Sequence, residues 1–126
     1  METKLLYNLH HEHKEWLNKL LFYRDKLKLM RNQLEKAAKK KLSKESLAFL
    51  DHFENQIHIH NTEIGILNHD IRTFEKKLEE SAHSMPIAVD MRQVYSRPNF
   101  NEKLERFEKL FNDLRKELFS FLAKVM

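Results

Sequence analysis

Residues 6 to 37 carry an unbroken heptad seam. Leu6, Leu9, His13, Trp16, Leu20, Tyr23, Leu27, Met30, Leu34 and Ala37 recur in steps of three and four. A helix keeps such positions on one face, whereas a strand repeats every second residue. The stretch is therefore one long helix, and its seam must be buried against a partner. The rest of the chain has to supply that partner.

The chain has 126 residues, enough for one domain. Charged residues make up 33% and hydrophobic ones 41%, with one Gly and two Pro. That balance suits long, solvated helices and leaves little material for sheets or many turns. With no Cys, disulfides and thiolate metal sites are excluded. The opening METKLLYNLHHEHKEW interrupts its apolar residues with charge, unlike a signal-peptide core. No run nears the roughly eighteen apolar residues of a membrane span. A soluble, cytoplasmic protein with no membrane contact is expected. The net charge of +4, from 23 basic and 19 acidic side chains, does not by itself imply a nucleic-acid partner.

In chain order, helix 1 is expected over about 4–41, with Thr3 as N-cap and the Lys39-Lys40-Lys41 run at its C-terminal end, where cations oppose the helix dipole. Ser43 can cap helix 2, expected over about 44–82 with a seam of Leu50, Phe53, Ile57, His60, Ile64, Leu67, Ile71, Phe74 and Leu78. Two such helices on a short loop form an antiparallel hairpin. Centring it between Ser43 and Lys44 pairs Leu27 with His60, Leu20 with Leu67, Trp16 with Ile71 and His13 with Phe74. The flanking charges then place His10 near Glu75, Glu12 near Lys77, Lys19 near Asp70, Lys26 near Glu63 and Arg31 near Glu54.

Residues 83–98 hold both prolines and break the pattern. Met85, Ile87, Val89, Met91, Val94 and Tyr95 are too apolar for a free linker, so a connector packed on the bundle is expected. Helix 3 is expected over about 99–124, capped by Asn99 or Asn101, with a seam of Phe100, Leu104, Phe107, Phe111, Leu114, Leu118, Phe121 and Val125. The fold class is all-α: a long antiparallel helical hairpin plus a shorter third helix in one domain.

More apolar residues remain than these seams use. Leu17, Leu21, Phe22 and Leu29 on helix 1, with Ile59 and Ile66 on helix 2, are candidates for a further interface. Two readings fit them: a two-fold homodimer, or cover by helix 3 and the connector. Gly65, the single glycine, sits inside helix 2. Close approach of another backbone and a tolerated exposed position both explain it.

Eight histidines stand out, and two of them, His13 and His60, occupy seam positions. A seam His is either a metal ligand or a polar residue held by a neighbour to fix register. The second reading is preferred, with Tyr23 in reach of His60, and Asp70 or the connector in reach of His13. Metal spacing is poor: no Glu-x-x-His falls within the bounds expected for either long helix, which leaves His10, His13, Glu54 and His58 as weak candidates. No cofactor is expected. Catalysis finds no support either, since glycine-rich phosphate loops, nucleophile elbows and HExxH are all missing. A basic patch, Lys36, Lys39, Lys40, Lys41 and Lys44, marks the hairpin tip. It reads first as a solvated helix end, and with no aromatic beside it offers no stacking surface for bases.

The segments HEHKEWLNKLLFYRDKLKLMRNQLEKAAKK and HFENQIHIHNTEIGILNHDI resemble a group of small uncharacterised bacterial helical-bundle proteins of unknown function. The shared features are the WL..L.FY run, the HF.NQ segment and the later His69-Asp70 pair. They cover the first two helices and are loose in helix 3. The resemblance implies a bacterial cytosolic setting and adds nothing on activity or ligand.

These readings point to a non-catalytic interaction or scaffold protein that associates with itself. The alternative is a regulatory module that takes an acidic protein or nucleic acid on the lysine-rich tip, nucleic acid being the less expected of the two. A histidine-lined metal-binding bundle comes third.

Overall fold

A computed structural model describes the backbone of residues 2–84 and 99–126, and the side chains of 8–80 and 99–126. The described residues form three helices and no strand: α1 (Glu2–Ala38), α2 (Lys44–Ser84) and α3 (Phe100–Val125). The connector expected over 83–98 lies almost wholly outside the described residues.

Each helix buries the residues that recur in steps of three and four. On α1 these include Leu9, His13, Trp16, Leu20, Leu27, Met30, Leu34 and Ala37. On α2 they run from Leu50 through Ile57, Ile64 and Leu67 to Leu78, and on α3 from Phe100 through Phe111 to Phe121 and Leu122. Burying a large apolar side chain is worth about 1.5–3 kcal/mol, so the three seams together carry the fold.

Two contacts fix the hairpin register. The rings of His13 and Phe74 meet edge-on at 5.9 Å, and His10 Nδ1 pairs with the Glu75 carboxylate. Both sit at the end far from the loop, so α1 and α2 run antiparallel. α3 packs against both. Phe100 meets Phe74, Phe107 meets His60 and Phe121 meets Phe53, which makes α3 antiparallel to α2. Trp16 meets Phe100 and Tyr23 meets Phe107 and Phe111, which makes it parallel to α1.

The helix ends differ from expectation in two places. α1 already includes Glu2, so Thr3 lies within its first turn and is not the cap. It stops at Ala38, short of the lysine run, because the Lys39 and Lys40 amides turn back onto the Lys36 and Ala37 carbonyls at 3.3 and 3.1 Å. These are three-residue turns, which close a helix. Lys39, Lys40 and Lys41 therefore lie in the loop. Ser43 caps α2: its Oγ accepts from the Ser46 amide at 3.1 Å, and its carbonyl takes the Leu47 amide at 2.9 Å. Asn99 caps α3, its side chain accepting from the Glu102 amide.

Candidate functional site

Among the described residues, the buried polar side chains are two histidines. His13 is fully buried, ringed by Trp16 at 5.3 Å, Phe74 at 5.9 Å and Phe100 at 6.2 Å. Its Nδ1 lies 3.7 Å from the Glu75 carboxylate, which also pairs with His10. The carboxylate that meets His13 is thus Glu75; Asp70 is half-buried a turn away. His60, 7% exposed, turns its Nδ1 to the Gln56 carbonyl at 2.7 Å and its ring face towards Phe107.

Tyr23 does not hydrogen-bond to His60. α3 intervenes: Tyr23 stacks on Phe111 at 4.7 Å and on Phe107 at 5.5 Å. Burial, and then the negative charge and hydrogen bond of Glu108, hold its phenol above the usual pKa of 10.0. The same Glu108 lies 3.6 Å from Lys19 Nζ, so Lys19 pairs with α3 and not with Asp70. Arg31 and Glu54, and Lys26 and Glu63, form no ion pair either; Lys26 lies over the Phe22 ring at 5.2 Å.

Among the described residues, no three His, Asp or Glu side chains converge as a metal ion would need. His10 and His13 share Glu75, and His13 is enclosed by aromatic rings, while Glu54 and His58 stand exposed on α2. Lys36, Lys39, Lys40, Lys41 and Lys44 are all exposed around the loop. Among the described residues, no helix is long and apolar enough to cross a membrane.

The six apolar candidates fall on three different flanks. Phe22 and Leu29 are seven residues apart, on the stripe of Lys19 and Lys26 beside α3. Leu17 packs partly on the core, and Leu21 lies one turn further along the α2 side. Ile59 and Ile66 continue the heptad stripe of Glu45 and His52, two residues that line a groove of about 630 Å³ between α2 and α3. Glu117 and Lys124 line the same groove from α3, and Leu110 sits one heptad before Glu117. Phe49 also lines it. This third flank thus gathers Phe49, Ile59, Ile66 and Leu110, each 47–52% exposed.

A second groove, of about 820 Å³, runs between α1 and α2 and is lined by those two helices alone. Arg24, Lys28 and Arg31 border it from α1 and Arg72 from α2, with Gly65 between Asn61 and Asn68. The three α1 cations recur in steps of four and three, a signal present in the sequence. Pairing Arg31 with Glu54 across the hairpin masks it. Compared with protein-family models, with curated proteins and with solved structures, the chain matches none.

Proposed function

We propose that the chain is a non-catalytic helical-bundle interaction protein that pairs with a second copy of itself through the α2–α3 flank. The observation that supports this is the strip of Phe49, Ile59, Ile66 and Leu110, about half exposed on one flank. From Phe49 to Ile66 it extends roughly 25 Å at 1.5 Å per residue. Four such residues along one flank, more than either other flank gathers, mark an association site better than single scattered ones. Glu45 and Glu117 on the same flank as Lys116 and Lys124 give a two-fold contact charges of both signs to match. The bacterial, cytoplasmic setting implied by the resemblance belongs to the same reading.

Light scattering at micromolar concentration tests it. Wild type is expected at twice the chain mass of 15.3 kDa. Ile59→Glu combined with Leu110→Glu is expected to give the single-chain mass with unchanged helical circular dichroism. A single-chain mass for wild type removes the proposal.

A further inference from the structure

We propose that the groove between α1 and α2 receives an acidic helix of another protein, which lies there as a fourth helix of the bundle. The inference shares with the preceding reading only that this is an interaction protein. It concerns a different flank, so either can fail alone.

Stripes of helical period border the groove on both sides. Arg24, Lys28 and Arg31 recur on α1 in steps of four and three, and Asn61, Gly65, Asn68 and Arg72 recur on α2 in steps of four, three and four. Two heptad stripes facing one groove are what a further helix packs against in a four-helix bundle. Leu21 and Leu17 carry the α1 stripe onward by the same steps, so beyond the groove α1 continues this face with apolar residues.

Its charge selects the occupant. Arg24, Lys28, Arg31 and Arg72 face it against the single carboxylate of Asp25. None of the four has an ion-pair partner among the described residues, and Arg72 spends its Nε–H on the neutral Asn68 side chain at 2.6 Å. Like charges gathered this closely repel, and a row of carboxylates relieves that repulsion.

Gly65 supports a helix over other anions. A Cβ built there meets nothing within 4 Å, so packing within this chain does not require glycine. Its effect is to leave the middle of the groove floor without a side chain, where a second backbone can come close. Nucleic acid is the less suited polyanion. No Phe, Tyr or Trp lines the groove for bases to stack on, His69 being its one ring, and a concave groove cannot enter the major groove of a duplex.

The test uses the full chain and a fluorescent helical peptide of roughly 20 residues, long enough to hold helical structure. The peptide carries Glu at heptad spacing on one face, Ala at the position facing Gly65 and Leu at one end. The control is a scramble of the same composition with its Glu spread around the helix. Polarisation is read for both, and for single-stranded DNA of equal charge. The ordered peptide is expected to bind with a Kd of about 10 µM and at least tenfold more tightly than the scramble or the DNA. Arg24→Glu with Arg31→Glu is expected to weaken it tenfold or more. Gly65→Leu should do the same with helicity kept and the melting temperature not lowered, while Lys39→Ala, Lys40→Ala and Lys41→Ala together leave it unchanged. Equal binding of peptide and scramble, tighter binding of DNA, loss on neutralising the three loop lysines, or no binding of the ordered peptide at a concentration tenfold above that Kd would each overturn the proposal.

Discussion

The His60 Nδ1–H donates to the Gln56 carbonyl one turn back along α2, at 2.7 Å. A carbonyl can only accept, so in the neutral ring this bond fixes the tautomer and leaves Nε2 a bare acceptor. Nε2 is buried and has no hydrogen-bond partner among the described residues. An unsatisfied buried acceptor costs about 1–3 kcal/mol. His60→Leu removes that cost, fits a seam position and improves helix propensity. The Gln56 carbonyl keeps its backbone bond within the helix. The variant is therefore expected to be more stable than wild type by about 1 kcal/mol in urea unfolding, the low end of that range. A loss of stability would mean that Nε2 is satisfied.

Tyr23 makes the chain's stability depend on alkaline pH. Burial first, and then the Glu108 carboxylate, raise its pKa from 10.0, because both disfavour the phenolate. The unfolded chain releases the phenolic proton at a lower pH than the folded one. The stabilisation is complete below pH 10 and is lost as pH rises through the folded-state value. Melting temperature should fall more steeply above pH 10 in wild type than in Tyr23→Phe. Tyrosinate absorbance should show a late-titrating component that the variant lacks. Identical slopes would place the Tyr23 hydroxyl in water.

The three seams were legible in the sequence because burial follows helical period so closely. Leu20, Leu27 and Leu34 on α1, and Ile57, Ile64 and Ile71 on α2, are heptad repeats of the innermost residues. The meeting of His13 with Phe74 followed from centring the hairpin at Ser43 and Lys44. Less legible was the choice of partner for side chains at the edge of a seam. Lys19 goes to Glu108 and Tyr23 to Phe107 and Phe111 because α3 packs on that flank of α1, and its rotation about its own axis is set by tertiary packing. Pairing charges across two helices cannot anticipate a third. For the same reason the groove bordered by Arg24, Lys28 and Arg31 is not legible in the sequence: exposed ion pairs are worth too little to enforce the expected neutralisation.

Gly65→Ala should stabilise the isolated chain. The position is helical, has no positive φ, and a Cβ there meets open space. Alanine gains about 0.8–1 kcal/mol over glycine in a helix interior. Chemical denaturation should show that gain with an unchanged slope. A neutral or negative result would point to strain that the present backbone does not reveal.

Phe100 ties the first turn of α3 to the open end of the hairpin. It is 1% exposed, and its ring meets His13 at 6.2 Å and both Trp16 and Phe74 at 5.9 Å. Removing a buried Phe side chain costs about 3–5 kcal/mol, from lost transfer energy and the cavity left behind. Phe100→Ala is expected to fall in that range. Phe119→Ala, at a position 47% exposed, should change stability by less than about 1 kcal/mol. Trp16 is the chain's single tryptophan and is 5% exposed, so its emission reports directly on this cluster. In Phe100→Ala the emission should shift to the red while helical circular dichroism stays near wild type, because the hairpin seam from Leu20 to Leu34 does not pass through Phe100. Equal losses from Phe100→Ala and Phe119→Ala would mean that α3 is held by its far end alone, through Phe121 and Phe53.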